Sequence, residues 1–453
     1  MTDNLKELGM FQNVEGEYEA YQARRADVSK CPMSGMAAEF NPSDGEYLQN
    51  PYRFFDKARP AEPVFYSPQE DSWVVMKYDY MVEVFKDPDT FSAANARHPV
   101  QPLCPAAAAE RDRLNITIEP CLVDESPETH RKHRRIFGNA FTPRRVNQIE
   151  DQVRAIVTKF IDAFIEDGQA DLVSQLLYEV PALAIFIFLG AKDEDAAMVK
   201  KLGGDRALVN FGWPSEDSQV GMMGNMAEHW AFTKKLVDDA LDNPGDNYLG
   251  DMVRLHQEDP SRFTINYLVN VMFLMQFAGH ETTTQASANG IKAMLHDHAQ
   301  WDKLVANPDL IPNAVEEILR FDTSIFAWRR IATRDTQIGG VDIPAGGKIL
   351  MMLGSGNHDE EMFPNPGQFD PERKNAKKHL GLGNGAHFCM GAPLARLEMK
   401  IILEELTRRL PHLQLVEEQE YAYLPTLLFR GVQNLQVKWD VAKHPKTEGA
   451  VTS

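Results

Sequence analysis

The chain has 453 residues, of which 43% are hydrophobic and 25% charged, and its formal net charge is −19. This is the composition of a globular protein with a large core, and the negative charge argues against nucleic acid as the main partner. The four cysteines lie far apart without a C-x-x-C pair, so neither a disulfide framework nor a zinc knuckle is expected. A reduced, cytoplasmic protein without a signal peptide or a membrane span is the expectation.

Taken in chain order, residues 1–39 have mixed charge and few apolar side chains, and they are predicted to form an N-terminal extension. Residues 40–440 are predicted to form the main domain, and the polar segment 441–453 a tail or linker. Apolar spacings of three and four residues predict helices at 146–168, 267–298, 310–322 and 393–410. Short β-rich runs predict strands at 72–78, at 348–353 and between 336 and 348. The expected fold class is therefore mainly α with small β-sheets.

One cysteine, Cys389, lies in a glycine-rich stretch, HLGLGNGAHFCMGAPLARLE, and a helix is predicted to begin after it, near Pro393. Glycine allows positive φ angles and lets the backbone approach a ligand closely. The positive end of the following helix favours the thiolate form of the cysteine. This combination suits a sulfur bound to a large, flat cofactor. Three alternatives stay open here: a buried structural cysteine, a zinc site for which His387 and Cys389 supply only part of the ligands, and a nucleophilic cysteine with His387 as its base.

The helix predicted at 267–298 is apolar in its first half and is then interrupted by GHETTT, from Gly279 to Thr284. A glycine inside a helix costs about 1 kcal/mol and threonines add a smaller penalty. A buried carboxylate, such as that of Glu281, costs more unless it is paired. Several unfavourable residues in succession indicate a functional site. The alternative is that the helix reaches the surface here and its polar residues are solvated.

The cysteine stretch resembles the haem-binding loop of the cytochrome P-450 family, whose pattern is F-G-x-G-x-H-x-C-x-G. The chain matches it at Gly383, Gly385, His387, Cys389 and Gly391, whereas Leu382 replaces the phenylalanine. The resemblance implies the cytochrome P-450 fold, with haem b (iron protoporphyrin IX) as the cofactor. It implies that Cys389 is the axial thiolate ligand of the iron, which favours O–O cleavage. It also implies that Gly383 and Gly391 adjoin the cofactor and that His387 bonds to a propionate.

The interrupted helix resembles the oxygen-activation motif of the same family, [AG]-G-x-[DE]-T-[TS]. The match comprises Ala278, Gly279, Glu281, Thr282 and Thr283. The resemblance implies that Ala278 and Gly279 leave a groove for O2 beside the cofactor. It also implies two catalytic residues, Thr282 as a hydrogen-bonding group for the oxygen and Glu281 as a proton relay. His280, at the variable position of the motif, is expected to be structural.

Basic residues in two further segments fit the family pattern. His130 and Arg134 of PETHRKHRRIF and Arg330 of RRIATRD are implied as partners of the haem propionates. The alternative for the first segment is a solvated basic face. Part of the segment is expected to be such a face, a patch for an acidic electron donor made of Arg131, Lys132 and Arg135.

Glu317 and Arg320 stand three residues apart on a predicted helix, so they share one face of it. By itself this spacing indicates an exposed ion pair of little energetic value. The family resemblance instead implies a buried structural network of Glu317 and Arg320 with Arg373.

A narrower resemblance covers KCPMSG, PVFYSPQEDSWVV, LIPNAVEEILR, AWRRIATRDT and GNHDE, which are similar to the haem domain of self-sufficient bacterial enzymes. Those enzymes carry a fused reductase with flavin and an iron–sulfur centre, similar to phthalate dioxygenase reductase. The resemblance implies a redox partner of this kind, fused or separate. The other expected partners are O2 and a small organic substrate, with no nucleic acid and no membrane.

The implied function is that of a haem-thiolate monooxygenase, which hydroxylates or oxidatively dealkylates a small to medium apolar or aromatic substrate with O2. The alternatives are an H2O2-driven peroxygenase of the same fold and a non-catalytic haem sensor. The substrate walls are expected from residues 92–118, from 205–225 with Phe211 and Trp213, from Thr323 to Trp328, and from the residues around Leu427.

Overall fold

The computed structural model describes residues 16–28, 35–139, 141–191 and 205–443, and helices make up most of this part of the chain. A π-helical segment, Val173–Leu177, precedes α9. The predicted helices are confirmed as α8, α13, α15 and α17. In chain order the helices are α1 (Glu17–Val28), α2 (Gly45–Gln49), α3 (Tyr52–Ala61), α4 (Tyr78–Lys86), α5 (Pro105–Arg113), α6 (Pro127–Asn139), α7 (Pro143–Asn147), α8 (Glu150–Phe164), α9 (Glu179–Leu189), α10 (205–211), α11 (Glu216–Asp242), α12 (Tyr248–Glu258), α13 (Ile265–His296), α14 (His298–Ala306), α15 (Ile311–Phe321), α16 (Leu353–Gly356) and α17 (Ala392–Arg409).

The strands form three small sheets, so the prediction of a mainly α fold with small sheets is confirmed. One sheet has five strands in the order β1-β2-β8-β5-β3, one has three in the order β4-β10-β9, and β6 pairs with β7 alone. The β6–β7 hairpin turns on Gly339 and Gly340, with φ of +58° and +82°, as tight two-residue turns require. The strands are β1 (Val64–Ser67), β2 (Ser72–Val75), β3 (Phe91–Ser92), β4 (Gln169–Asp171), β5 (Trp328–Ala332), β6 (Thr336–Ile338), β7 (Val341–Ile343), β8 (Lys348–Met351), β9 (Gln414–Leu415) and β10 (Gln436–Lys438).

Helix α13 is the central element, and it is apolar around most of its circumference because neighbouring elements cover it. It begins where the Thr264 hydroxyl oxygen accepts a hydrogen bond from the backbone N–H of Tyr267. Phe273 belongs to the core between the helices, whereas Phe277, one turn later, belongs to the core of the five-stranded sheet. The two cores therefore meet at this point of α13. Among the described helices, none has the length and apolar content needed to cross a membrane.

Part of the predicted N-terminal extension packs against the rest of the chain. Tyr18 of α1 is buried in the helical core, and its hydroxyl donates to Glu216 Oε1 at 2.6 Å. Arg24 pairs with Asp71, in the turn between β1 and β2, at 3.3 Å. Of the predicted tail, 441–453, only a 3-10 turn, Val441–Lys443, belongs to the described residues, and the remainder lies outside them.

The ion-pair network expected from Glu317 and Arg320 is confirmed. Both side chains are fully buried, with 2.7 Å between Glu317 Oε1 and Arg320 Nη2, and Arg373 Nε lies 3.0 Å from the same carboxylate oxygen. Arg320 also donates to the carbonyls of Asn357 and Pro366. The network thus joins α15 to the segment that follows α16, and every charge in it has a partner of opposite sign.

We expect Glu317→Gln to lower the free energy of unfolding by about 3–5 kcal/mol, because it leaves two buried guanidinium groups without a carboxylate. Urea unfolding followed by far-UV circular dichroism measures this loss. The control is Glu39→Gln, which breaks the exposed pair with Lys57 and should cost less than about 1 kcal/mol. Equal losses in the two variants would contradict a stabilising role of the buried network.

Candidate active site

The cysteine loop precedes α17, and its glycines are required by its backbone. The backbone N–H of Cys389 donates to the carbonyl of Leu382 at 2.8 Å, which closes the loop. Gly383 and Gly385 have φ of +72° and +69°, in the region that favours glycine. A Cβ atom on Gly385 would lie 2.5 Å from the carbonyl oxygen of Phe85, so this position also needs the space. The start of α17 at Ala392 confirms the helix predicted after the cysteine.

The ionisation of Cys389 depends on two opposing effects, burial and nearby donors. Burial raises the pKa of the Cys389 thiol above its ordinary value, although the backbone N–H groups of Gly391 and Ala392 and the Arg134 guanidinium lower it. The N–H donors at the start of α17 thus act in the predicted direction, toward the thiolate, but desolvation outweighs them while no metal is bound. A metal ion bound to the sulfur would deprotonate the thiol outright. The loop thus supplies donors and space, and the metal supplies the charge that holds the thiolate.

The polar interruption of α13 faces an internal cavity. Ala278 is exposed and Gly279 and Thr282 are half-buried in the middle of an otherwise buried helix, and all three border the same cavity as Cys389. The Thr282 hydroxyl donates to the carbonyl of Ala278 at 2.8 Å. A Cβ atom on Gly279 would lie 2.8 Å from the side chain of Ile185, so the glycine also lets α9 approach α13. The alternative of a helix reaching the outer surface is wrong.

Glu281 and His280 lie away from that cavity and bond to the region before α9. The Tyr178 hydroxyl donates to Glu281 Oε1 at 3.2 Å, and Gln285 Nε2 donates to Oε2 at 3.4 Å. Burial raises the pKa of Glu281 to about 7, and these two hydrogen bonds only partly oppose it. His280 Nε2 lies 2.9 Å from the carbonyl oxygen of Tyr178, so the structural role expected of His280 is confirmed.

Four basic side chains meet beside the cysteine loop, those of His130, Arg134, Arg330 and His387. The rings of His130 and His387 stack with their centroids 3.8 Å apart. Burial, together with the nearby Arg134 and Arg330 cations, lowers the pKa of His130 to about 4 and that of His387 to about 2. Arg330 is buried, and its Nη1 donates only to the carbonyl of Arg329. In the described part of the chain, neither arginine has a carboxylate partner.

This arrangement fits a flat, apolar cofactor that carries carboxylate groups, such as haem. The unmatched cations would bind the carboxylates, the cavity would take the ring, and the Cys389 sulfur would reach the metal. The zinc alternative lacks ligands, because no three His, Cys, Asp or Glu side chains of the described residues cluster around a possible ion.

Ten of the eleven predicted site residues border one cavity. Glu281 is the exception, because its carboxylate turns toward Tyr178. The ten residues are Thr282, Cys389, His387, His130, Arg134, Arg330, Ala278, Gly279, Gly383 and Gly391.

The substrate walls are only partly as predicted. Phe211, Ile325, Trp328 and, from the segment around Leu427, Phe429 border the cavity, joined by Phe277. Trp213 and Leu427 do not border it, and segment 92–118 contributes Arg97 alone. These corrections have one cause: the direction of a side chain changes at each residue, and an apolar segment does not reveal which of its members faces inward.

Two charged residues of the cavity were missed. Glu398 is fully buried in α17. Neither of its carboxyl oxygens meets hydrogen-bond geometry with another described residue, although the Thr283 side chain interacts with the carboxyl group. Burial raises its pKa well above the usual range. A signal was present, since Glu398 stands four residues after Leu394 and four before Ile402, on the apolar stripe of α17. The second residue, Arg206 of α10, also borders the cavity; it lies in the segment 205–225 that was predicted as a wall, but it was not singled out.

Comparison with known proteins places this site in a family. A model described as Cytochrome P450 matches residues 231–420. Cytochrome P450 monooxygenase PikC of Streptomyces venezuelae is 33% identical over 401 residues, which are 87% of this chain and 92% of that protein.

Two solved structures are similar over most of the chain. An intact type IV self-sufficient cytochrome P450 monooxygenase has a TM-score of 0.88 and 39% identity, over 92% of this chain but only 55% of that longer chain. Cytochrome P450 CREJ, solved with (4-ethylphenyl) dihydrogen phosphate, has a TM-score of 0.85 and 36% identity, over 88% of this chain and 99% of its own.

These similarities agree with the cysteine loop, the interrupted α13 and the unmatched cations. Members of the family need an organic substrate, O2 and a redox partner. The chain belongs to the cytochrome P450 family and is a cytochrome P450 monooxygenase with a haem-thiolate cofactor.

Proposed function

We propose that the protein hydroxylates or oxidatively dealkylates a small to medium aromatic or apolar compound, using O2. The observation that carries this proposal is the aromatic wall of the cavity. Phe211, Phe277, Trp328 and Phe429 border the same cavity as Cys389 and Thr282. Aromatic and aliphatic walls with a few polar groups are typical of small-molecule sites. The structure of cytochrome P450 CREJ contains a compound with one aromatic ring, a size that suits this wall.

The proposed cofactor residues follow from the unmatched cations. Cys389 would hold the haem iron through its thiolate, with the N–H groups of Gly391 and Ala392 near its sulfur. His130, His387, Arg134 and Arg330 hold the two propionates through charge-assisted hydrogen bonds. Bound haem supplies the iron that activates O2 with two electrons from a donor. The protein contributes the ligand, the orientation of the substrate and the delivery of protons.

Proton delivery is proposed for Thr282 and Glu281. The Thr282 hydroxyl borders the cavity and can exchange its hydrogen bond to Ala278 for one to a substrate oxygen. With a pKa of about 7, Glu281 holds and releases a proton near neutral pH. Because its carboxyl bonds to Tyr178 and Gln285, it supplies protons from the side of α13 that faces α9. The two residues then act in sequence, Glu281 as the reservoir and Thr282 as the positioned donor.

The proposed organisation is a haem domain at 40–440, an extension at 1–39 and a tail or linker at 441–453. The electron donor is a reductase with flavin and an iron–sulfur centre, fused or separate. The type IV structure supports this proposal, because this chain spans about half of that self-sufficient polypeptide. Arg131, Lys132 and Arg135 are exposed on α6, the helix that carries His130 and Arg134, and they form the surface for an acidic donor.

The reduced, CO-bound absorption spectrum tests the cofactor assignment. We expect a strongly red-shifted Soret band in the wild type and its loss in Cys389→Ala, because the thiolate ligand causes the shift. Cys104→Ala is the matched control, since Cys104 is buried but lies outside the cavity. A red-shifted band that survives in Cys389→Ala would contradict the assignment.

Thr282→Ala should reduce the product formed per NAD(P)H consumed by roughly 10²-fold, the lower end of what a positioned proton donor contributes. Thr284→Ala makes the same chemical change two residues later, where the hydroxyl bonds to the carbonyls of Leu177 and His280. We expect this control to keep its coupling of NAD(P)H to product. Coupling is measured by product analysis alongside NAD(P)H oxidation with a reductase. Full coupling in Thr282→Ala would count against the proposed donor.

The stability of Glu281→Gln should differ from that of the wild type in a pH-dependent way. The pKa of Glu281 rises from 4.5 in the unfolded chain to about 7 in the fold, so the folded state binds more protons between these values. Stability contributed at this position therefore falls as the pH rises through that window. Glutamine does not titrate, so the variant does not lose stability in this window. Its free energy of unfolding, relative to that of the wild type, should therefore rise by up to about 3 kcal/mol between pH 4 and 8. Urea unfolding at both pH values measures the gain, and a difference that does not change with pH would refute the shift.

A further inference from the structure

Arg206 is a buried arginine without a counter-ion among the described residues. It lies on α10, is 1% exposed, and points over α13 with its guanidinium carbon 4.0 Å from the centroid of the Phe273 ring. Its Nη1 donates to the carbonyl of Phe273 at 2.6 Å. Its Nε and Nη2 have no hydrogen-bond partner, and no carboxylate of the described chain pairs with it. Arg206 also borders the substrate cavity, beside Phe277 and Asn210.

Other buried arginines of this protein show what a structural arginine requires. Arg320 is held by Glu317, and the nearby Arg97 by Asp124, with 2.7 Å between Nη2 and Oδ1. Burying a guanidinium without such a partner costs several kcal/mol. Burial lowers the pKa of Arg206 to about 9, so the side chain is still a cation at neutral pH. The contact with the aromatic ring and one carbonyl offsets only part of that cost.

The charges around Arg206 leave this end of the cavity positive. Arg97 also borders the cavity, but Asp124 neutralises it. Cys121 is a neutral thiol because burial raises its pKa to about 12, and His229 is a neutral imidazole because burial and Arg206 lower its pKa to about 3. Asn210 lies one turn after Arg206 on α10 and borders the cavity as well. Arg206 is thus an unbalanced positive charge in a protein whose formal net charge is −19.

We propose that Arg206 binds an anionic group of the substrate, so that the substrate is a small aromatic carboxylate or phosphate monoester and not a neutral hydrocarbon. The inference rests on the proposed function, because it assigns a charge to the compound oxidised in this cavity. A planar guanidinium with two free donor nitrogens matches the oxygens of such groups. The aromatic wall of Phe211, Phe277 and Phe429 takes the ring.

The spacing along α13 agrees with a substrate of this size. Phe273 and Phe277, which underlie Arg206, precede Thr282 by nine and five residues. A rise of 1.5 Å per residue corresponds to about 8–14 Å along the helix axis. One aromatic ring with its two para substituents spans a distance of this order, so the anion can lie at Arg206 while the opposite substituent lies near Thr282.

Arg206 is separate from the cations assigned to the cofactor. The charged neighbours of His387 are Arg330, His130 and Arg134, and Arg206 is absent from its surroundings. The cavity therefore has two cationic regions, one beside the cysteine loop and one under α10.

The test compares pairs of ligands that differ in charge. The haem-loaded protein is titrated with 4-ethylbenzoate and with 4-ethylbenzamide, and likewise with 4-ethylphenyl phosphate and with 4-ethylphenol. Binding is measured by isothermal titration calorimetry and by the haem difference spectrum. In the wild type we expect at least one anion to bind tenfold or more tightly than its neutral counterpart. The anion with the larger preference identifies the carboxylate or the phosphate as the preferred group.

Arg206→Met should abolish this preference while neutral ligands bind as before, and Arg206→Lys should keep part of it. The control is Arg329→Met, because Arg329 is also buried without a carboxylate partner but does not border the cavity. It should keep the preference. Haem content per chain and the reduced CO spectrum are recorded for every variant, so that loss of the proposed function is recognised separately.

Three results would overturn the proposal. The first is equal binding of anionic and neutral ligands by a wild type whose reduced CO spectrum is that of a thiolate-bound haem. The second is a preference that survives in Arg206→Met. The third is a loss of haem in Arg206→Met with an unchanged preference in the haem-loaded fraction, which would assign the guanidinium to the cofactor.

Discussion

The need to match every buried positive charge with a negative one organises this protein. Where the match lies within the chain, as for Arg320 with Glu317 or Arg97 with Asp124, the ion pair holds elements together. Arg329, which has no carboxylate match among the described residues, donates to the backbone carbonyls of Ala96 and His98 instead. Other buried cations without a match border the cavity. Arg330 near the cysteine loop and Arg206 under α10 are such cases. An unmatched arginine that borders the cavity therefore marks a place where a ligand can complete the charge balance.

Helix α13 connects these places. It passes from the helical core at Phe273 to the sheet core at Phe277, and the polar turn that follows opens onto the cavity between them. The residues that weaken the helix locally are the ones that give the site its chemistry. Gly279 lets α9 approach, Thr282 presents a hydroxyl, and Glu281 keeps a carboxyl out of water. The covering elements compensate for the cost of these residues.

Sequence alone predicted those parts of the molecule that depend on residue type and spacing. The long helices and the small strands follow from such patterns, whereas the Glu317 network and the gathering of ten site residues around one cavity were implied by the family resemblance. It could not predict quantities set by tertiary packing. The pKa of Cys389 depends on how deeply the loop is buried, and the direction of Glu281 depends on Tyr178, which lies 103 positions earlier in the chain. Arg206 was missed for the same reason, since an unmatched charge is defined by residues that are distant in sequence.

The contact of Tyr18 with Glu216 affects how the polypeptide can be shortened. Glu216 is the first residue of α11, and α10, which carries Phe211 and Arg206, ends only five residues before it. Starting a recombinant protein at Phe40 would remove the tyrosine that covers this junction and expose the apolar surface beneath it. The first residues of α11 would then lose the contact with Tyr18, close to the α10 residues that line the substrate cavity. Residues 16–28 therefore belong with the catalytic unit when its boundaries are chosen for expression, fusion or crystallisation.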